Sequence, residues 1–299
     1  MKVDDYSSRK KVLKLENARV AFIEEGSGEP LVMLHGFPNS AIWRKVIPIL
    51  SVKFRCLAID TLGLGDSVAS SGRDYTLKGQ AEMIESFLQA KGIERFYLLG
   101  QDLGGAIAQI LAIRKSERVE KLVLADCAAY DNWPSRELKG LISLAKIPMA
   151  LGVFCRRMQR IQFARSSKGW GHAFFNSHAL TEELVRAYIR PIGSSTERIE
   201  SFRKLLLSLD NRETMEIVPA LKRFQSPTMV LWSCDNLHRS PSWAIQLYQD
   251  IPGAVRFELI PFAGLFSPEE KPTEFAGIVA DFLTFRKQVA NPQDLPFSK

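Results

Sequence analysis

The chain has 299 residues, a formal net charge of +7, 46% hydrophobic and 24% charged residues, ordinary for a globular protein with room for a large core. Its excess Lys and Arg are scattered rather than clustered, and no helix-turn-helix, zinc or aromatic-basic module is present, so a nucleic-acid partner is not expected. The cysteines Cys56, Cys127, Cys155 and Cys234 show no CxxC or Cys/His metal spacing, so no metal is expected, and Cys56 and Cys127 read as buried free thiols.

The N-terminus, Met1-Lys2-Val3-Asp4-Asp5, is polar and acidic and leads into no apolar signal core, so the expected location is the cytoplasm. Residues 12–24 alternate apolar and polar with a turn at Glu16-Asn17-Ala18, which predicts an edge hairpin. Residues 31–34 form a continuous apolar run, a buried strand, followed by His35-Gly36-Phe37-Pro38 and a predicted helix over 41–50. Strand 55–59 closes on the Gly-punctuated loop Asp60-Thr61-Leu62-Gly63-Leu64-Gly65-Asp66-Ser67, and 75–91 has helical periodicity. Strand 96–99 runs into Gly100-Gln101-Asp102-Leu103-Gly104-Gly105 and then a helix over 104–114. A further strand, 122–125, ends at Asp126.

Strand–helix alternation then stops. Residues 130–218 look helical throughout, and within them 138–155 is broken by Lys139, Lys146 and Pro148 and does not read as a membrane span. Alternation resumes with strand 228–232, helix 242–250, strand 256–260 and helix 270–285, and a loose polar tail begins at Asn291. This order predicts an α/β protein: a mostly parallel central sheet flanked by helices, with a core over 1–129 and 219–299 and an inserted helical cap over 130–218. In open α/β sheets ligands bind at the C-terminal ends of the strands, beneath such a cap.

Gly100 to Gly105 is the pattern of a sharp strand-to-helix turn that exposes one reactive side chain, here the carboxylate of Asp102. Together with the His35 loop and Val230-Leu231-Trp232-Ser233-Cys234-Asp235, this turn resembles the α/β-hydrolase fold, over roughly residues 12–285. An Asp at the elbow is similar to haloalkane dehalogenases, fluoroacetate dehalogenases and epoxide hydrolases. The resemblance implies that Asp102 attacks carbon, that the backbone N–H groups of Phe37 and Leu103 form an oxyanion hole, and that a His then activates water against the covalent ester.

In those families the His lies in an Ala-Gly-His-Phe turn before Glu-Glu-x-Pro. Here the turn reads Ala263-Gly264-Leu265-Phe266-Ser267-Pro268-Glu269-Glu270-Lys271-Pro272, and Leu265 stands where the base belongs. His238 is the candidate displaced base, with His172 and His178 reaching from the cap as lesser ones. The acid is either Asp235, after the strand that follows the cap, or Asp126, after the strand that precedes it. The halide-holding Asn and Trp of the dehalogenases are replaced by Phe37 and Leu103, and Leu103 also stands where fluoroacetate dehalogenases carry Arg. Tyr130 and Tyr188 stand as candidates for the cap tyrosines of epoxide hydrolases.

The expected substrate pocket is apolar and draws on His35, Tyr130, Trp133, Phe154, Trp170, Phe174, Leu237, Leu265 and Phe266, with Phe175 beside them. The expectation is therefore a cofactor-independent enzyme, a monomer or homodimer, acting on a hydrophobic small molecule. Without its triad His the reaction expected is non-hydrolytic (cyclisation, elimination or isomerisation) with Asp102 as acid or base. The alternatives are a hydrolase with a displaced base or an inactivated triad, and a non-catalytic binding protein.

Overall fold

The computed structural model describes residues 1–69, 72–147 and 149–285, so Pro148 and the predicted tail from Asn291 lie outside the described residues. Among the described residues nine strands form one sheet: β1 Lys11–Leu15, β2 Ala18–Glu25, β3 Pro30–Leu34, β4 Arg55–Ile59, β5 Val68–Ala69, β6 Phe96–Gln101, β7 Val119–Ala125, β8 Thr228–Ser233 and β9 Ala254–Ile260. Their order is β1-β2-β4-β3-β6-β7-β8-β9, with the short β5 pairing alongside β2. β1, β2 and β5 pair antiparallel, and every pairing from β4 through β9 is parallel. The apolar runs found in sequence are the central parallel strands, buried on both faces as covered parallel strands must be.

Helices Leu77–Ala90, Leu103–Arg114, Pro241–Asp250 and Pro272–Thr284 flank the sheet. Thr76 caps the first by accepting the Gly79 N–H at 3.1 Å. Between β7 and β8 the described residues contain helices and 3-10 turns but no strand. No helix among them is long and apolar enough to cross a membrane.

Two predicted helices are split. Residues 41–50 form a 3-10 turn, Ser40–Trp43, and a separate turn, Ile47–Leu50, because Pro48 has no N–H to continue a helix and fits only its first turn. Residues 270–285 likewise divide into Ser267–Glu270 and Pro272–Thr284, with Pro272 opening the second helix. The N-terminal helix Val3–Ser8 was not legible in the sequence. It is held by the buried Tyr6 hydroxyl, which donates to the Ser40 carbonyl at 2.8 Å.

The C-terminal end of β4 carries a buried polar knot. Asp60 accepts from Lys10 Nζ at 2.5 Å and from the backbone N–H groups of Ser40 at 3.1 Å and Asp66 at 2.8 Å. His35, fully buried beside it, donates from Nδ1 to the Gly36 carbonyl at 2.6 Å and accepts the Thr61 N–H on Nε2 at 3.0 Å. Burial holds the ring below its ordinary pKa, so it is neutral. With both nitrogens engaged and no exposure, His35 shapes the loop and does not reach substrate, contrary to the sequence expectation.

Candidate active site

β6 ends at Gln101, and the helix begins at Leu103, so a single residue turns the chain. Asp102 sits at φ 54°, ψ −124°, backbone that an L residue adopts only where its surroundings enforce it. They do so through small neighbours. A Cβ on Gly104 would overlap the Leu34 carbonyl, and one on Gly36 would overlap Asp102 Oδ2. The strand-to-helix elbow predicted from Gly100 to Gly105 therefore brings the His35 loop into contact with the Asp102 carboxylate.

Asp102 Oδ2 accepts the Phe37 N–H at 3.0 Å. The Phe37 amide thus serves the Asp102 carboxylate itself and is not vacant for a substrate oxyanion. Its other oxygen, Oδ1, accepts Arg239 Nη2 at 2.6 Å, and both side chains are 5% exposed. Arg239 also donates from Nη1 to the Asp126 carbonyl at 3.1 Å, while its buried Nε has no hydrogen-bond partner. A desolvated, charge-assisted pair of this kind fixes the carboxyl group in place and caps the oxygen that would attack carbon. Sequence reasoning stopped one residue short, at His238. The missed signal is an Arg at the end of the Asp235-to-Arg239 loop, in the same pocket as Leu265.

Neither candidate acid has a histidine to orient. Asp126, also at positive φ, is buried and accepts from the Ser233 N–H at 3.0 Å, the Ser233 hydroxyl at 2.7 Å, Asn236 Nδ2 at 2.9 Å and the Ser267 hydroxyl at 3.2 Å. It ties the loops after β7, β8 and β9 together, a positioning role in place of the catalytic one expected. Asp235 is exposed and accepts the Phe262 N–H at 2.9 Å, closing a surface turn away from the pocket.

Burial pushes the Asp126 carboxyl up to about 6, against the opposing pull of Asn236, Ser233 and the Arg239 charge. Because the folded state then binds this proton more tightly than the unfolded chain, stability falls as pH rises from about 4 to about 6 and levels off above. Asp126→Asn keeps the acceptor for Ser233 and Asn236 and presents its NH₂ to two hydroxyls that can rotate to accept. We expect it to flatten that segment of a urea-derived stability–pH curve and to raise stability at pH 7 by roughly 2 kcal/mol. A variant less stable than wild type at every pH would show that the ionised form is the required one.

A cavity of about 360 Å³ opens above the pair, lined by Phe37, Asp102, Arg239, Leu265 and Phe266 from the strand ends and by Leu138, Leu141, Phe154, Trp170 and His172 from the helical segment. Phe154, Trp170, Leu265 and Phe266, named from the sequence, are among the residues lining it. Phe174 instead stacks behind Phe266, with centroids 4.2 Å apart. Tyr130 is turned away, its hydroxyl donating to Asp250 at 2.9 Å and its ring stacked on Trp243. Trp133 donates from Nε1 to Thr214 at 2.8 Å inside the core, and Leu237 is 83% exposed. Those three, expected in the pocket, lie outside its lining. Tyr188 is fully buried with an unpartnered hydroxyl and is likewise absent from the lining. Phe175 and His178 face solvent.

His238 does line the pocket, with Nδ1 3.3 Å from Glu137 Oε2 and its ring edge-to-face against His172. Burial, and then the neighbouring His172, hold His238 below its ordinary pKa. Burial likewise lowers His172, so both rings are neutral near pH 7.

Residues 29–150 match the family model of the alpha/beta hydrolase fold. The chain is 28% identical over 270 residues to haloalkane dehalogenase 2 of Mycobacterium tuberculosis (strain ATCC 25618 / H37Rv), covering 88% of this chain and 91% of that one. It is 25% identical over 290 residues to the cis-3-alkyl-4-alkyloxetan-2-one decarboxylase of Shewanella oneidensis, covering 92% and 89%. The solved epoxide hydrolase CorEH superposes with a TM-score of 0.77 at 23% identity, covering 92% of this chain and 98% of that one. The sheet order, the elbow and these matches place the chain in the α/β-hydrolase fold. Within it, Asp102 at the elbow is consistent with the Asp-nucleophile branch, and the relatives named are dehalogenase, decarboxylase and epoxide hydrolase.

Proposed function

We propose that this protein is a non-hydrolytic enzyme of the lyase, isomerase or cyclase type. Its substrate is a hydrophobic small molecule carrying one oxygen function, bound between residues 130–218, acting as a cap, and a core of residues 1–129 and 219–299. The proposal includes a cytoplasmic setting and a monomeric or homodimeric state. The observation that carries it is the 2.6 Å contact between Arg239 and Asp102 Oδ1 at a site where Leu265 replaces the base that ester hydrolysis needs.

In this reading Asp102 works as a general base. It takes a proton from carbon or oxygen of the substrate, becomes neutral and releases Arg239, whose charge then holds the oxyanion or carboxylate that develops. One anion replaces another beside the guanidinium, so the net charge of the pocket is unchanged through the step. The apolar lining keeps water from competing. A relative named for decarboxylating an oxetanone, rather than for hydrolysis, supports this direction.

The test follows ²H uptake by hydrophobic ketones and β-lactones in ²H₂O, alongside release of halide from a 1-bromoalkane and of diol from a terminal epoxide. Exchange or elimination that Asp102→Asn and Arg239→Gln both abolish is expected. Sustained halide or diol release by the wild type would instead establish the hydrolytic alternative, with His238 against Glu137 as its base. Tight binding with no conversion of any kind would leave a binding protein.

A further inference from the structure

Of the four histidines in the chain, His35 is locked inside its loop and His178 faces solvent. The other two meet. The rings of His172 and His238 stand edge to face with centroids 4.7 Å apart. Glu137 joins them, so that one possible ligand atom from each of the three residues lies within 4.8 Å of the others. The three come from well-separated segments: the start of helix Arg136–Ala145, the 3-10 turn Gly171–Ala173 and the loop after β8. No spacing in the sequence reveals them.

The separation of one pair matches that of two ligands on one metal ion. Two ligand atoms about 2.05 Å from a zinc ion and separated by the tetrahedral angle are about 3.3 Å apart. The separation between Glu137 Oε2 and His238 Nδ1 is 3.3 Å. His172 Nδ1 is buried without a hydrogen-bond partner among the described residues although it belongs to a pocket-lining side chain, an orphan that calls for an occupant. Arg239, whose charge acts on His238, is already paired with Asp102.

We propose that Glu137, His172 and His238 bind a divalent transition-metal ion in the wall of the pocket that Asp102 and Arg239 share. Two imidazoles and one carboxylate select zinc, cobalt or nickel over magnesium or calcium, which prefer all-oxygen sites. Three protein ligands leave one tetrahedral position for water or for an oxygen of a bound molecule. The site stands apart from the role proposed for Asp102 and does not depend on it.

Tag-free protein, stripped with a chelator and titrated with Zn²⁺ alone, tests this. Binding of one ion per chain is expected, with a rise in Tm of roughly 5 °C at a hundredfold excess over Kd. Co²⁺ should give the visible d–d bands of a tetrahedral site. Both signals should vanish in His172→Ala and His238→Ala, weaken roughly tenfold or more in affinity in Glu137→Gln, and persist in His178→Ala. His172→Gln, closer in volume, serves if an Ala variant fails to fold. Absence of any Tm shift or Co²⁺ band in the wild type would overturn the proposal. So would bands that persist in the folded His172 and His238 variants.

Discussion

Arg239→Met is expected to lower the free energy of unfolding by about 3–5 kcal/mol near pH 7, read from urea titrations. The loss is not the strength of one hydrogen bond. Asp102 is buried at the elbow, held at positive φ by Gly36 and Gly104, and cannot swing into water to recover its solvation. Removing the guanidinium leaves a carboxylate with the Phe37 N–H as its one remaining partner among the described residues. The double variant Asp102→Leu, Arg239→Met is expected to regain most of the loss, because a buried pair replaced by apolar groups of similar size is close to neutral. A single-variant effect below about 1 kcal/mol would mean that the pair is solvated and that Arg239 does not restrain Asp102.

The second large effect concerns turnover. Leu265→His alone restores the base of the resembling hydrolases in position but not in function, since Arg239 still caps Asp102 Oδ1. Incubation with a 1-bromoalkane should therefore give neither a mass adduct nor sustained halide release. With Arg239→Gly added, Oδ1 is free, alkylation of Asp102 becomes possible, and the introduced imidazole can activate the water that cleaves the ester. Halide release in this double variant should exceed that of Arg239→Gly alone by roughly 10²–10⁴-fold, the usual contribution of a general base. Efficient turnover by Leu265→His alone would show that the guanidinium is no obstacle and would undercut the proposed function directly.

Both expectations turn on a residue that the sequence did not single out, and the reason is physical. The fold was legible because its signals are local. Leu31-Val32-Met33-Leu34 and Leu122-Val123-Leu124-Ala125 are apolar on both faces, and Gly100 to Gly105 leaves room for only one kind of turn. Motif spacing also located Asp102 and the substitution at Leu265. Contacts between distant segments were not legible. Nothing local distinguishes Arg239 from His238, although one meets Asp102 and the other meets Glu137 and His172. Tyr130 and Trp133 misled for the converse reason. An amphipathic ring beside a pocket and one hydrogen-bonded into the core look identical in a sequence, and only the partners Asp250 and Thr214 tell them apart. Leu237, between the buried Asn236 and the pocket-lining His238, simply points the other way.

The turn that carries Leu265 also carries two glutamates, and they hold the molecule together around it. Glu269 meets Arg44 Nη2 at 2.8 Å and Lys45 Nζ at 2.6 Å, fastening the turn to the core. Glu270 accepts the Gly264 N–H at 2.9 Å on one side and the N–H groups of Phe175 and Asn176 at 3.2 and 2.9 Å on the other. One carboxylate thus stitches the helical segment to the loop after β9 through main-chain N–H groups on both sides. The pocket wall it supports is mixed in character: Glu137 and Leu138 line it together with His238 and Arg239, so a molecule held there meets charged and apolar groups side by side.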